Sequence, residues 1–217
     1  MKRELTAEYL RIEAAKFAEV ETAYNEPTLY GITDGKAIGT YLEHKFTAYL
    51  SESYDYQPGN SASGIDFPGL EVDMKVTSIK QPQSSCPFKS AAQKVFGLGY
   101  HLLVFVYEKY DDSENRTGRL DIKHTVFVDK TRTADFQTTT GLREILDRDA
   151  NKDDIVAFIL ERHLPVDEIG ANQLADRILE SRPNQGYLTM SNALQWRLQY
   201  RRVIDKTGKT SGILRVR

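Results

Sequence analysis

One cysteine, Cys86, stands in 217 residues. Neither an internal disulfide nor a multi-cysteine zinc site can form, and a reducing compartment is the expected setting. No apolar run approaches the length of a membrane span, and the opening Met-Lys-Arg-Glu-Leu-Thr-Ala-Glu lacks the apolar stretch of a secretory signal. A cytoplasmic protein with no membrane partner is therefore expected. The four histidines, His44, His101, His124 and His163, are not at metal-ligand spacing. Gly35-Lys36-Ala37 lacks the remaining glycine and the Ser/Thr of a phosphate-binding loop, which removes support for nucleotide hydrolysis. There is no internal repeat and no low-complexity tract. A net charge of only −2 argues against an indiscriminate binder of polyanions.

What is present suffices for one substantial core: 40% of the residues are apolar and 28% charged. The charge is unevenly spread. From Asn184 to Arg217 seven Lys/Arg face one acid, Asp205, so a basic C-terminal segment follows an acidic body. That is the footprint of localised phosphate contacts, with a solvated basic tail as the alternative. Helices are predicted over 4–24 and over Ala37 to Leu50, where Ile38, Leu42, Phe46 and Leu50 form one stripe. Strands are predicted at Gly64 to Phe67, Leu70 to Thr77, His101 to Lys109 and Arg119 to Asp129, with a short helix from Phe88 to Phe96. The run His101 to Tyr107 is nearly all apolar, as a central strand buried on both faces should be. Beyond Ala134 the pattern is helical: Gly141 to Arg148, Asp153 to Arg162, Glu168 to Ser181 and Ser191 to Asp205. The expected architecture is α/β (α+β), a mixed central sheet flanked by helices over residues 1–133, with a helical region over 134–217.

The most informative segment runs from Gly64 to Val76. Leu70 to Val76 alternates strictly, so Glu71, Asp73 and Lys75 share one strand face and Val72, Met74 and Val76 the other. Asp66 precedes Phe67-Pro68-Gly69, whose turn-forming residues fold it back beside the strand. Three carboxylates and a lysine thus converge, as metal-dependent phosphodiester hydrolysis requires. Mg²⁺ takes carboxylate oxygens and keeps several waters, and a neighbouring lysine can orient or help deprotonate the attacking water and stabilise the developing charge. Glu71 either adds a metal contact or solvates that face. An acid two residues before a lysine recurs at Asp34/Lys36, Glu43/Lys45 and Asp121/Lys123. The first straddles a loop glycine, and the second lies in a helix where residues two apart diverge. Asp121 and Lys123 share a strand face and are a genuine competitor, but no helix–strand unit follows them.

Glu43 within Gly39-Thr40-Tyr41-Leu42-Glu43, then Asp66, then Asp73-Met74-Lys75, then a helix and a central strand, resembles the PD-(D/E)XK nuclease superfamily, which includes type II restriction endonucleases. The resemblance covers about residues 36–108. The first acid of that family often follows a proline directly, whereas here Ile65 precedes Asp66 and Pro68 comes after it. The resemblance implies a restriction-endonuclease-like core with a catalytic set of Glu43, Asp66, Asp73 and Lys75. Glu43, Asp66 and Asp73 would hold Mg²⁺, with Mn²⁺ as a substitute, and Gln93 would lie near the scissile phosphate. It further implies a homodimer that cuts double-stranded DNA at a specific sequence and leaves 5′-phosphate ends. A repair or recombination nuclease of the same superfamily is the nearest alternative, and a non-catalytic DNA-binding regulator the rival from another class.

Two stretches are candidates for reading DNA. After the lysine strand, Gln81, Gln83, Ser84, Ser85 and Lys89 offer donors and acceptors to bases or backbone, or else form a polar connection. On the helix predicted from Ser191 to Asp205, Ala193, Trp196, Tyr200, Val203 and Ile204 share a packing face, while Gln195, Gln199, Arg202 and Lys206 share a polar one. Arg197 and Arg201 add to its charge. With a C-terminal hairpin after it, this segment resembles a winged helix-turn-helix. Cys86, with no histidine nearby in sequence, is expected to pack.

Overall fold

A computed structural model describes residues 2–59, 64–86, 89–191 and 196–217, and of Trp196 the backbone alone. The elements in chain order are β1 (Arg3–Glu4), α1 (Ala7–Thr22), β2 (Asn25–Glu26), α2 (Gly35–Ser53), β3 (Tyr54–Asp55), β4 (Val72–Ser78), β5 (Gln83–Cys86), α3 (Ala92–Phe96), β6 (His101–Asp112), β7 (Thr117–Val128), α4 (Phe136–Leu146), α5 (Lys152–Glu161), α6 (Glu168–Glu180), β8 (Thr189–Met190), β9 (Trp196–Gln199), α7 (Arg201–Lys206) and β10 (Ile213–Arg215).

The central sheet runs β10-β7-β6-β4, with β2 also paired to β7. β4 pairs parallel to β6 from Val72↔His101 to Ser78↔Tyr107, and the other pairings are antiparallel, so the sheet is mixed. β6 is central, and Leu102 to Val106 are fully buried, as their continuous apolar run predicts.

Helices α1 and α2 cover one face. The Thr6 hydroxyl caps α1 by accepting from the Tyr9 N–H, and the Asp34 carboxylate caps α2 by accepting from Lys36 and Ala37. The stripe Ile38, Leu42, Phe46 and Leu50 is buried against Val72, Met74, Leu103 and Phe105. On the other face Leu102, Val104, Val106, Val126 and Val128 meet Cys86, Leu188, Met190, Leu198, Tyr200 and Val203. A third cluster joins α3 to α4, α5 and α6 through Val95, Leu142, Ile155, Ile159 and Leu174. At the end of α3 the chain reverses through Gly97 at φ +92, where a Cβ would lie 2.8 Å from the Thr133 hydroxyl, so only glycine fits.

Several expectations are corrected. Gly64 to Phe67 is not a strand: Phe67 makes a single bridge to Val72 across a tight turn through Pro68–Leu70. The short helix spans only Ala92–Phe96, and Phe88 lies outside the described residues. The helix predicted from Ser191 to Asp205 is broken into strand β9 and the six-residue α7, with Ala193 and Gln195 outside the described residues. Arg197-Leu198-Gln199-Tyr200 alternates exposed and buried, and this period of two prevails because β9 has partners on both sides, β5 and β8. The winged-helix likeness falls with it, since β10 joins β7 in the central sheet rather than forming a separate wing.

Candidate active site

Strand β4 is terminal in its sheet, so one of its edges is open for a residue outside the sheet to use. Asp66 uses it: its Oδ2 accepts the Met74 N–H at 2.7 Å. The bond is set up by the turn that follows, in which Phe67 and Val72 exchange backbone hydrogen bonds of 2.9 and 3.2 Å and Glu71 adopts φ +52. Asp66 is thereby pinned beside the residue between Asp73 and Lys75.

Val72 and Met74 enter the α2 side of the core, so Asp73 and Lys75 project to the opposite face. There Lys75 Nζ lies 2.8 Å from Asp73 Oδ2, with Asp73 nearly buried and the Lys75 side chain about one-fifth exposed. Burial pushes the Asp73 carboxyl up to about 7, and the neighbouring Asp66 carboxyl, within hydrogen-bonding reach, adds to the rise against the pull of Lys75. Burial opposes the Lys75 ammonium, but Asp73, then Asp66 and Glu43, outweigh it and hold the amine above the ordinary lysine value. Glu43 is half-buried on α2, one residue beyond Leu42 of the stripe. Its carboxyl is raised by burial and then by Asp66, while Lys75 works the other way. Glu43, Asp66, Asp73 and Lys75 thus share one electrostatic neighbourhood at the open edge of β4, where a residue of the α2 layer can act on side chains from the other face.

Glu71 does not join them. It precedes β4, and its left-handed backbone turns the carboxylate toward Lys130, 2.6 Å away and exposed. The competing pair, Asp121 and Lys123, is a partly exposed surface contact of 2.6 Å on β7, with Glu108 3.4 Å from the same amine. His101 accepts the Lys130 N–H at 2.9 Å and stacks on Phe127, a satisfied structural histidine.

The proposed DNA-contacting residues fall into three groups. Gln83, Ser84 and Ser85 are in β5, paired with Gln199, Leu198 and Arg197 of β9, so two stretches read separately form one sheet. Gln81 is exposed in the turn before it. Lys89 and Gln93 are neighbours: the Gln93 Oε1 accepts the Lys89 N–H at 3.2 Å and the side chain is buried. Arg201, Arg202 and Lys206 are on α7. Arg201 and Lys206 are exposed, whereas Arg202 donates to the Thr189 hydroxyl at 2.9 Å and lies 3.9 Å from the Phe136 ring centroid. Gln195 lies outside the described residues.

Sequence reasoning missed the wall that buries Asp73. Tyr100, Cys86 and Tyr200 lie behind it, all near enough to feel its charge, with Cys86 Sγ 3.7 Å from the Tyr100 hydroxyl and the Tyr200 hydroxyl 2.5 Å from Ser84 Oγ. The alternation of Trp196 to Tyr200 was the signal available.

Among the described residues no group of three or more His, Cys, Asp or Glu side chains is arranged to hold a metal ion. Asp66 and Asp73 form a pair of hard oxygen donors, the chemistry suited to a cation that retains water. Buried Asp73 and half-buried Asp66 beside a charged lysine, at the edge of a mixed sheet, have the chemistry that a phosphodiester hydrolase uses. A family model described as Type II restriction enzyme NspV matches residues 4–215. The Type II restriction enzyme NspV of Nostoc sp. (strain ATCC 29411 / PCC 7524) is 64% identical over 212 residues, which cover 98% of this chain and 96% of the relative. The chain belongs to this family of type II restriction enzymes and is a sequence-specific DNA endonuclease. No solved structure matches it. No helix among the described residues is long and apolar enough to cross a membrane.

Proposed function

We propose that hydrolysis takes place at Asp66, Asp73 and Lys75, with Glu43 beside them, in the manner of the PD-(D/E)XK nucleases, and that the substrate is double-stranded DNA. The observation that carries this reading is the convergence on one strand edge: Asp66 bonded to the Met74 N–H, and Lys75 2.8 Å from Asp73. Asp66 and Asp73 would hold Mg²⁺, or Mn²⁺ in its place. The ion would supply Lewis acidity toward the phosphate and lower the pKa of an attacking water.

The chain's own residues do the rest. Asp66 and Asp73 are fixed by the backbone of β4 and the turn before it, so little side-chain freedom is lost on binding. Lys75 is held protonated by three acids, so its amine acts as a hydrogen-bond donor that orients water and offsets charge building on the phosphoryl oxygens. Glu43 adds negative potential that favours both the cation and the charged Lys75. Residues 134–217 contribute DNA recognition, and a homodimer supplies the second site needed to cut the second strand, leaving 5′-phosphate ends. A cytoplasmic location fits the single buried Cys86.

Plasmid incubated with Mg²⁺ or with EDTA, using the wild-type chain and Asp73→Ala, Lys75→Ala and Asp121→Ala, tests the reading. Discrete bands that require the metal, vanish in the first two variants and persist in the third are expected. Cleavage that survives the first two and is lost in Asp121→Ala would move the site to β7.

A further inference from the structure

We infer that the small sheet β5-β9-β8 is the base-reading element, a ribbon that enters the major groove with Gln83, Ser85, Arg197 and Gln199 toward the base edges. The inference rests on the endonuclease reading and specifies how that enzyme recognises its sequence.

The first observation is how the ribbon divides its two faces. Residues directly opposite in an antiparallel pair share a face, and the register sets Gln83 against Gln199 and Ser85 against Arg197. The intervening residues, Cys86, Leu198 and, just beyond, Tyr200, are buried against the central sheet. The Ser84 hydroxyl turns inward to the Tyr200 hydroxyl at 2.5 Å. One face is therefore locked in the core. The other presents two amides, a hydroxyl and a guanidinium, and none of these four side chains has a protein hydrogen-bond partner among the described residues. Ser85, Arg197 and Gln199 are exposed and Gln83 partly so.

The second observation is charge. The chain has 31 Asp and Glu, yet none lies between Asp73 and Glu108 or between Glu180 and Asp205. All three strands of the ribbon come from those two acid-free stretches. The same stretches carry Lys80, Lys89, Arg197 and Arg201, all exposed, so the surface suits a polyanion.

The third is attachment. The Thr77 hydroxyl accepts the Gln83 N–H at 2.9 Å and donates to the Gln83 carbonyl at 3.1 Å, clamping the start of β5 to β4. Thr77 is two residues beyond Lys75, about 7 Å along the strand. That is on the order of two base-pair steps, so contacts on the ribbon are held at a fixed offset from the scissile phosphate.

Within this three-stranded sheet the four side chains lie on the β5–β9 pair, and a two-stranded ribbon fits the major groove, where Gln pairs bidentately with adenine and Arg with guanine, and Ser serves either role. This reassigns the polar residues once ascribed to a recognition helix: Gln199 and Arg197 act from a strand, beside Gln83 and Ser85 rather than apart from them.

The test compares Gln83→Ala, Arg197→Ala, Gln199→Ala and the Gln83→Ala/Gln199→Ala double variant with wild type. Each digests a library of duplexes randomised in sequence, with the cut ends sequenced, and each selects duplexes from the same library in EDTA. Circular dichroism and melting temperature check the fold, which these outward side chains leave intact. The expected result is a tenfold to hundredfold loss of cleavage at the wild-type sequence for each single variant, with preference relaxed at one base pair of the site. Variants that cut the same sequences at rates within twofold of wild type overturn the inference. If instead Asp73→Ala still cleaves, the proposed catalytic residues fail, while the EDTA selection continues to judge the ribbon by whether its variants change the bound sequence.

Discussion

Asp73→Asn should stabilise the metal-free protein while abolishing cleavage. The carboxyl of Asp73 is raised from an ordinary 3.8 to about 7, chiefly by burial and further by Asp66. Keeping that side chain ionised at pH 8 therefore costs folding free energy on the order of 4 kcal/mol, at 1.36 kcal/mol for each tenfold in the proton equilibrium. The sign follows from proton binding. Between about pH 4 and 7 the folded chain keeps a proton on Asp73 that the unfolded chain releases. This contribution to stability is complete below pH 4 and is lost as pH rises through about 7. Asparagine carries no charge and removes the slope. Its amide has its own cost of burial, and Lys75 keeps only its more distant acids, both of which reduce the gain, so a net stabilisation on the order of 1 kcal/mol is expected at pH 8. Urea unfolding in EDTA at pH 5 and pH 8 measures both the gain and the slope. Addition of Mg²⁺ at ten times its dissociation constant should then stabilise wild type by about 1.4 kcal/mol and leave the variant unmoved. A variant less stable than wild type at pH 8 in EDTA would refute the reasoning, since Asp73 and Lys75 would then be a structural ion pair rather than half of an incomplete site.

Other expectations follow from the packing around that site. Tyr200→Phe removes the hydroxyl that meets Ser84 at 2.5 Å and should cost about 1 kcal/mol in urea unfolding, and a fall in cleavage should accompany it because the ribbon loses an anchor. Leu42→Ala empties a fully buried position beside Glu43 and should cost about 2–5 kcal/mol in the same assay. Asp121→Ala removes one partner of an exposed ion pair, so stability should change by less than about 0.5 kcal/mol and plasmid cleavage not at all. A loss of cleavage there would show that the acid–lysine pair had been assigned to the wrong strand.

How much of this was legible in the chain depended on whether a segment carries its own geometric rule. The α2 stripe and the alternation of β4 are local patterns, and each puts its residues where periodicity says. Asp66 was legible because Pro68 and Gly69 announce a turn, although the strand expected from Gly64 to Phe67 proved to be one bridge at Phe67. Glu71 was misread because alternation was extended one residue too far: its left-handed φ breaks the period and sends the carboxylate to Lys130. Nothing in the sequence announces Lys130, which is remote along the chain, as its partner.

The C-terminal segment failed for a related reason, and the failure bears on function. Tyr200 and Val203 fit a helical stripe, while Trp196 to Tyr200 also alternates, so the sequence supports two periods at once. Only the partner decides between them, and that partner, β5, lies more than a hundred residues earlier in the chain. A helix would have carried its arginines and glutamines on an independent module, free to move relative to the catalytic strand. Pairing with β5 ties them instead to Thr77 and so to Lys75. If the ribbon reads bases and Asp66 and Asp73 act at the phosphate, as proposed, the consequence is mechanical: cutting depends on reading, because a ribbon that fails to seat in the groove keeps both carboxylates away from the phosphate as well.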